Sequence, residues 1–169
     1  MKRKIDALEY SGTILKALSG GVLMTTKVGD KVNTMTIGWG HIGIEWGRPI
    51  FVAYVRESRY TKEMIDSNGE FTINVPLGAV DKKILGYCGT KSGRETDKVA
   101  DLALHLEEPD AISVPGIREL PLTLECKVIY VQKEDSAAVP QNIIDRYYPD
   151  VSDMHTAYYG EILSAYILE

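Results

Sequence analysis

The segment from Val22 to Trp39 constrains the fold more than any other part of the sequence. Val22–Val28 and Lys31–Trp39 are both rich in β-branched residues, and only Gly29–Asp30 separates them. A two-residue connection that contains glycine is typical of a β-hairpin, whose strands are antiparallel. Parallel strands would need a crossover of a dozen or more residues at this point. We therefore expect an antiparallel sheet.

The rest of the chain adds further strand-like segments and a few short helices. The strand-like segments are Pro49–Val55, Glu70–Val75, Leu122–Gln132 and Thr156–Leu168. The helical segments are Ser58–Ser67, Gly78–Tyr87 and Asn142–Tyr147, and the segments predicted to be irregular are Gly40–Arg48, Gly89–Lys98 and the rest of Ser136–Asp153. Strands that alternate with helices also fit a parallel α/β sheet, but the hairpin and the two long late strands argue against it. We predict a mainly β, antiparallel, six-stranded β-barrel with two or three short helices, in one domain over residues 1–169.

Composition argues against several classes of function. The 169 residues carry a net charge of −5, which disfavours nucleic acid or an anionic membrane as a partner. No stretch approaches the ~18 apolar residues of a membrane helix, and the basic start Met1–Lys4 lacks the apolar run of a signal peptide. Cys88 and Cys126 form no CxxC pair and the three histidines share no ligand spacing, so we expect no metal site. A cytoplasmic protein with free thiols is the expectation.

The strand Asn33–Trp39 has an unusual pattern of side chains. Alternation places Thr34, Thr36 and Gly38 on one face. The other face carries Asn33, Met35, Ile37 and Trp39. Two small hydroxyls and a glycine make a poor core face but a good shelf for a flat polar ligand, because nothing bulky keeps the ligand from the backbone. A solvated edge strand rich in β-branched threonine would show the same pattern.

The segment Arg56–Lys62 leaves a buried strand and enters a predicted helix. It carries hydroxyls at Ser58 and Thr61, and the cations Arg56, Arg59 and Lys62. The N-terminus of a helix offers free N–H groups and the positive end of its dipole, so it can hold a phosphate. Cations are unfavourable at a helix start unless an anion is bound there. The alternative is a Ser58 cap among solvated basic residues.

A second polar segment, Tyr87–Lys98, combines glycines, small hydroxyls and cations that could surround another anionic group. It lacks the GxxxxGK[ST] spacing of a P-loop, and a solvated turn explains it nearly as well. Cys88 has Lys91 as a candidate cationic neighbour, although a small buried cysteine at a helix end is the simpler account.

No sequence pattern for hydrolytic chemistry stands out. There is no GxSxG elbow and no distinctive pair of carboxylates. His155, at the start of the last strand, either borders a ligand site or is simply exposed. A chain that offers a shelf and anion-holding segments but no clear nucleophile suits a cofactor that performs the chemistry itself.

In combination, these segments resemble the flavin reductase-like family, the FMN-binding split-barrel proteins that include flavoredoxins. The resemblance covers most of residues 20–165, in the family's order. Its pieces are Asn33–Trp39, Pro49–Val55 followed by Arg56–Thr61, Phe71–Pro76, Tyr87–Arg94, Leu124–Val128, and His155 with Gly160 and Glu161. Each motif is weak singly, and the ordered set is fairly specific. The irregular stretch Ser136–Asp153 matches no motif.

The resemblance implies a Greek-key split barrel that forms a homodimer, with FMN at or near the dimer interface. Asn33, Thr34, Met35, Thr36 and Gly38 would then face or adjoin the isoalloxazine ring, with Trp39 at its border. Ser58, Arg59, Tyr60 and Thr61 would surround the ribityl phosphate, and Cys88, Gly89, Lys91 and Ser92 would approach the flavin or a nicotinamide from the other side. No side chain is required as an acid or base.

Three functions remain open at this point. The favoured one is an NAD(P)H-dependent flavin oxidoreductase that passes hydride to flavin N5 and electrons to an unidentified acceptor. The alternative is a flavoredoxin-type electron carrier that a partner protein reduces. The third is a binding domain that has lost its flavin. The sequence does not choose between NADH and NADPH.

Overall fold

The computed structural model describes all 169 residues. Its elements in chain order are β1 (Lys2–Lys4), α1 (Ser11–Leu18), β2 (Val22–Val28), β3 (Lys31–Ile37), β4 (Gly40–Glu45), β5 (Arg48–Arg56), α2 (Tyr60–Asn68), β6 (Glu70–Val75), α3 (Lys82–Thr90), α4 (Lys98–Asp101), β7 (Leu106–Glu107), β8 (Gly116–Ile117), β9 (Leu122–Lys133), α5 (Gln141–Tyr147) and β10 (His155–Leu168). Short 3-10 turns at Ser136–Ala138 and Val151–Asp153 flank α5.

The fold is mainly β and antiparallel, as the sequence predicts. Eight strands form one sheet in the order β3-β2-β6-β9-β10-β5-β4, with β1 paired to the far end of β10, and β7 and β8 form a separate pair. The predicted hairpin is present, with Val22 opposite Ile37 and Val28 opposite Lys31. Six of the eight strands correspond to the six predicted ones; β1 and β4 are additional.

The sheet closes on itself without a hydrogen-bonded seam. Its two edge strands, β3 and β4, are not paired with each other. They are nevertheless consecutive in the chain, and only Gly38 and Trp39 connect them. Two residues span at most about 7 Å, so the end of β3 lies close to the start of β4. The result is a split barrel, and we call the junction of β3 and β4 the seam.

The prediction of a loop at Gly40–Arg48 is wrong. Residues 40–45 form β4, which pairs with β5 from Gly40 opposite Ala53 to Glu45 opposite Arg48. The connecting residues Trp46 and Gly47 have φ of 50° and 71°, the left-handed conformation of a tight hairpin turn. The strand was hidden because it is an edge strand in which glycines interrupt the apolar alternation.

The predicted helices are present with shifted starts, and two more occur. α3 begins at Lys82 rather than Gly78, because the Asp81 carboxylate accepts the Lys83 N–H at 2.8 Å and caps the helix there. α2 ends at Asn68, before Gly69, as expected. The sequence did not predict α1 or the single turn α4. None of these helices has both the length and the apolar character needed to cross a membrane.

The main core fills the barrel interior. Phe71 and Tyr158 are fully enclosed there, and α1 contributes Ile14 and Leu18. A second apolar cluster lies between α3 and the sheet and includes Cys88. Burying one large aliphatic or aromatic side chain is worth about 1.5–3 kcal/mol. These two clusters therefore fix α1 and α3 against the sheet on either side of the seam.

Candidate functional site

Two connected cavities lie beside the seam. The seam cavity has a volume of about 350 Å³ and is lined by Met35, Thr36, Ile37, Gly38, Trp39, Tyr54, Arg56, Ser58, Arg59 and His155. The basic cavity has a volume of about 180 Å³ and is lined by Asn33, Met35, Ser58, Arg59, Tyr60, Thr61, Thr90, Lys91, Ser92, Gly93, Arg94 and Lys98. Met35, Ser58 and Arg59 line both, so the two cavities adjoin, and together we call them the groove.

Aromatic rings and strand backbone form the walls of the seam cavity. The Trp39 ring lies 4.9 Å from the His155 ring between centroids, and it meets the edge of Tyr147 at 5.3 Å. Residues 35–38, at the end of β3, form another wall. Trp39 is 43% exposed despite its size, so one of its faces remains accessible. Such a cavity suits a flat aromatic ligand with a polar edge.

The expected open shelf of threonine side chains is not what the structure shows. The Thr34 hydroxyl is buried, 3.0 Å from the Thr25 hydroxyl and 3.3 Å from the Met24 carbonyl oxygen. Thr36 lines the seam cavity, but its hydroxyl donates to the Leu85 carbonyl at 2.6 Å. The physical reason differs between the two: β2 supplies both partners of the Thr34 hydroxyl, whereas α3 packs on β3 and supplies the Leu85 carbonyl to Thr36.

The alternative interpretation, in which Ser58 caps α2, is wrong. Arg59 occupies the N-cap position, and no side chain caps the helix. The Ser58 N–H and hydroxyl instead donate to the Asp153 carboxylate, at 2.8 and 3.0 Å. Asp153 belongs to the irregular segment that matched no motif, so its contact could not be anticipated. The start of α2 therefore keeps its free N–H groups beside the basic cavity.

Four cations line the basic cavity. Arg59 donates to the Gly89 carbonyl at 2.9 Å, and burial, with a smaller contribution from Arg56, lowers its pKa. Arg94 is paired with the Glu63 carboxylate and donates to the Ser58 carbonyl at 3.0 Å. The remaining two are Lys91, which is exposed, and Lys98. Of the four, only Arg94 forms an ion pair within the chain.

Lys98 ends the polar segment Tyr87–Lys98, but the sequence did not single it out as a site residue. Its side chain is buried, with 4% of the residue exposed, and no carboxylate lies within 4 Å of its amino group. Nζ donates to the carbonyls of Thr34 at 2.9 Å and Cys88 at 3.0 Å, and its third N–H has no partner in the chain. Burial lowers the pKa of Lys98 to about 8. A buried cation without a counter-ion is costly, so a bound anion would stabilise it.

The loop after α3 packs against β3. Cys88 is fully buried, and burial raises its thiol pKa to about 11, so it is unreactive. A Cβ at Gly93 would lie 2.1 Å from the Asn33 Oδ1 atom, so only glycine allows this approach. The Asn33 amide in turn donates to the Thr61 hydroxyl at 3.0 Å. This packing brings the loop, β3 and α2 together around the basic cavity.

Most of the predicted site residues meet in the groove. Those that line it are Asn33, Met35, Thr36, Gly38, Trp39, Ser58, Arg59, Tyr60, Thr61, Lys91 and Ser92. Thr34, Cys88 and Gly89 do not line it, although the carbonyl groups of all three accept hydrogen bonds from Lys98 or Arg59. Whether these residues bind a cofactor stays a prediction.

Four further residues line the seam cavity, namely Ile37, Tyr54, Arg56 and His155. Arg56 ends β5, His155 begins β10, and the two are directly opposite in the antiparallel pairing. Tyr54 lies two residues before Arg56 on the same strand. Burial, and then Arg56, lower the pKa of His155. The sequence indicated these residues only in that the cation Arg56 ends one predicted strand and His155 begins another.

The flavin reductase like domain model matches residues 16–169 of this chain. An uncharacterized protein from Archaeoglobus fulgidus is 33% identical over 100 residues, a match that spans 59% of this chain and 55% of that relative's length.

Several solved structures have the same fold. Flavoredoxin from Methanosarcina acetivorans is 27% identical, with a TM-score of 0.67, over 88% of this chain and 68% of that one. Flavoredoxin from Desulfovibrio vulgaris (Miyazaki F) is 23% identical, with a TM-score of 0.67, over 88% of this chain and 69% of that one. An NADH:FAD oxidoreductase from Streptomyces globisporus C-1027 is 16% identical, with a TM-score of 0.66, over 91% of this chain and 81% of that one. With its family match over nearly the whole length, the chain belongs to the flavin reductase-like family.

Proposed function

We propose that this protein binds FMN along the groove, with the ring in the seam cavity and the phosphate in the basic cavity, and works as an NAD(P)H-dependent flavin oxidoreductase. The observation that carries the proposal is the unpaired Lys98 at the wall of the basic cavity. A phosphate would supply the missing counter-ion and accept the free N–H. Arg59 and the start of α2 offer further donors at the same place.

The groove also fits the rest of such a ligand. The seam cavity joins the basic cavity at Met35, Ser58 and Arg59, so a ring and a phosphate joined by a short chain can occupy both. The backbone groups at the end of β3 are available to the polar edge of a ring, while Trp39 borders it. A bound flavin supplies the redox chemistry, which is hydride acceptance followed by electron delivery.

The residues of this chain contribute position and charge. Arg56 and Arg59 line the seam cavity and favour negative charge on a bound ring. The accessible face of Trp39 leaves room for a second planar molecule, such as a nicotinamide. The basic cavity has more cations than one phosphate needs, so Lys91 and Arg94 are candidates for a nucleotide phosphate.

The second candidate function is an electron carrier without activity toward nicotinamides. Its support is the likeness to the flavoredoxin from Methanosarcina acetivorans, which has the highest identity of the three solved structures compared above. On this reading a partner protein reduces the flavin, and the exposed Trp39 marks the side from which electrons enter.

One series of measurements separates the candidates. A visible spectrum of the pure protein, followed by titration with FMN, tests flavin binding. Stopped-flow mixing of the loaded protein with NADH and NADPH then tests the oxidoreductase. We expect one of the two to bleach the flavin rapidly. Slow bleaching by both supports the carrier, and a protein that stays colourless with added FMN refutes both.

We also propose that the protein is a homodimer. The outer face of the barrel carries an aromatic patch, here called the outer patch, formed by Trp46, Tyr130 and Tyr159. Their rings are in contact, with centroids 6.0 Å apart for Trp46 and Tyr130 and 5.0 Å apart for Tyr130 and Tyr159. Trp46 is 60% exposed. Aromatic side chains grouped on a surface are typical of protein interfaces.

A further inference from the structure

One ring nitrogen of His155 is bonded to Tyr148, and the other is free. The Tyr148 hydroxyl lies 2.8 Å from His155 Nδ1. His155 Nε2 makes no hydrogen bond within the chain, and it is not enclosed, since Tyr166 Oη is the only buried side-chain polar atom without a partner. Because His155 lines the seam cavity, Nε2 is the polar atom that its side chain offers to a ligand there. Whether Nε2 accepts or donates a hydrogen bond depends on which nitrogen carries the ring proton.

Glu134 sets the direction of the bond between Tyr148 and His155. The Tyr148 hydroxyl donates to a Glu134 carboxylate oxygen at 2.8 Å, and the same oxygen accepts the backbone N–H of His155 at 3.3 Å. Burial, and then this hydrogen bond, raise the pKa of Tyr148, so its hydroxyl keeps its proton. A tyrosine hydroxyl has only one proton to donate. Since that proton goes to Glu134, the Tyr148 oxygen accepts from His155 Nδ1–H, and Nε2 keeps a lone pair.

The surroundings of His155 disfavour a second proton on its ring. Burial lowers the pKa of His155, and the charges of Arg56 and, more weakly, Arg59 act in the same direction. The carboxylates of Glu134 and Asp153 oppose them, but the net shift is downward. Arg56 lies directly opposite His155 in the pairing of β5 with β10. The ring is therefore neutral at neutral pH, with a donor at Nδ1 and an acceptor at Nε2.

The seam cavity consequently offers a ligand both kinds of hydrogen-bonding group. Arg56 and Arg59 line it and can only donate. His155 Nε2 supplies an acceptor. An amide or imide group matches this combination, because it carries an acceptor oxygen next to an N–H. A carboxylate does not match it, because a carboxylate has no N–H for Nε2.

We propose that Glu134 and Tyr148 fix His155 as its Nδ1–H tautomer, so that Nε2 accepts a hydrogen bond from an amide or imide N–H of the ligand in the seam cavity. Glu134 and Tyr148 do not line that cavity and act through His155, so they are positioning residues. The identity of the ligand rests on the proposed function, because a flavin presents an imide N–H and a nicotinamide presents a carboxamide. The tautomer itself does not depend on it.

The first experiment reads the tautomer in the flavin-free protein. NMR of ¹⁵N-labelled histidine distinguishes the two neutral forms and the cation. The chain contains three histidines, and the signals lost in His155→Asn identify those of His155. In the wild type at neutral pH we expect the Nδ1–H form. In Glu134→Ala the Tyr148 hydroxyl has lost its acceptor and should donate to Nδ1 instead, so the ring proton should move to Nε2.

Tyr147→Phe is the matched control for this experiment. The Tyr147 ring borders Trp39, as the His155 ring does, but Tyr148 is the residue bonded to the histidine. The tautomer should therefore be unchanged in Tyr147→Phe. A wild-type His155 with its proton on Nε2, or with both nitrogens protonated, overturns the proposal, and this spectrum decides alone if Glu134→Ala does not fold. An Nδ1–H form that persists in folded Glu134→Ala overturns it as well.

The second experiment identifies the N–H that Nε2 accepts. Methylation of flavin N3 removes the imide N–H of FMN, and reduced nicotinic acid adenine dinucleotide replaces the carboxamide of NADH with a carboxylate. We expect one of these changes to raise the Kd of the flavin, or the KM of the dinucleotide, by about tenfold in the wild type. The same change should have a clearly smaller effect in Glu134→Ala, where Nε2 carries a proton. The arm that responds names the source of the N–H.

Equal effects in the wild type and in Glu134→Ala, in both arms, overturn the role given to Nε2 while leaving FMN binding intact. If the protein does not react with NADH, the flavin arm decides alone. A wild type that does not bind FMN refutes the proposed function instead, and the NMR measurement on the flavin-free protein still decides whether Glu134 and Tyr148 fix the tautomer.

Discussion

Lys98 lowers the stability of the ligand-free protein but favours the binding of an anion. The charged amino group of Lys98 is buried with only carbonyl partners. Below the Lys98 pKa of about 8 it therefore lowers the free energy of unfolding of the ligand-free protein. Between pH 8 and the ordinary Lys pKa of 10.5, the unfolded chain binds more protons than the folded one. Stability attributable to this group therefore rises with pH in that window.

We expect Lys98→Met to raise the Tm of the flavin-free protein at pH 7 by about 2–4 °C, which corresponds to about 1 kcal/mol. The gain should shrink as the pH approaches 10, where the wild-type lysine is neutral. The same variant should bind FMN more weakly, because the counter-charge for the phosphate is gone. Thermal melts at several pH values, with and without FMN, check both effects.

Lys91→Met is the matched control for this prediction. Lys91 lines the same cavity but is exposed, so its replacement should leave the Tm of the free protein nearly unchanged. If Lys98→Met lowers the Tm of the free protein at pH 7, the account of an uncompensated charge is wrong.

Arg59 should discriminate FMN from riboflavin. We expect Arg59→Ala to lower the affinity for FMN by about 10- to 100-fold, because the variant loses one hydrogen bond to a charged group. Riboflavin lacks the phosphate and should be affected much less. Fluorescence titrations with both ligands measure the ratio, with Arg118→Ala as a control, since Arg118 pairs with Glu107 away from the groove. Equal losses for both ligands would refute the phosphate assignment.

Single residues of the groove were only partly predictable. Asn33, Trp39 and Arg59 stand in local patterns that indicate a ligand, and they line the groove. The pattern gives no information on what covers each face of a strand, so the burial of the Thr34 hydroxyl was not foreseeable. Lys98 was missed as an individual residue because its significance is its lack of a counter-ion, which only the packing reveals.

Among the elements, the segment between β9 and β10 is bonded to residues that line the seam cavity. Arg56 donates to the Tyr147 carbonyl at 2.8 Å and to the Asp153 carbonyl at 3.0 Å. The Asp153 carboxylate accepts both donors of Ser58. These bonds fix the segment that carries Tyr148 against the end of β5 and the start of α2.

Removing the Asp153 carboxylate should loosen this segment. We expect Asp153→Ala to lower the free energy of unfolding by about 1–2 kcal/mol, because the Ser58 N–H loses its acceptor. Limited proteolysis should cut faster within residues 134–153. Asp150→Ala is the control, since the Asp150 carboxylate bonds only Ser152 of its own turn. Equal effects of the two changes would contradict the role given to the Asp153 carboxylate.

The sequence predicted best the elements that are marked by residues close together in the chain, such as turn residues between two β-branched segments. The hairpin of β2 and β3 follows from its turn residues and from β-branched strands on both sides. β1 is only three residues long, and its pairing with residues 166–168 is a contact between the two ends of the chain, which no local pattern encodes. α1 has only eight residues, of which Ile14 and Leu18 are buried, and β4 is an edge strand with glycines at positions 40 and 43.

At the scale of the whole molecule, the outer patch predicts the state of association. We expect sedimentation equilibrium to show a dimer for the wild type and a monomer for Trp46→Glu, because the substitution places a charge in a buried apolar contact. Leu106→Glu is the control, since Leu106 is also exposed but lies on the small β7–β8 pair. A wild-type monomer at micromolar concentration would contradict the homodimer proposal.

The seam also affects how quickly a ligand can bind and dissociate. Most clefts in a β-sheet protein are bounded by hydrogen-bonded ladders, and widening them breaks several bonds in concert. Here the groove lies beside the junction of β3 and β4, which share no ladder. We therefore expect that these two strands can separate at Gly38 and Trp39 without the loss of a backbone pairing. Exchange of bound for free flavin should accordingly be fast compared with global unfolding.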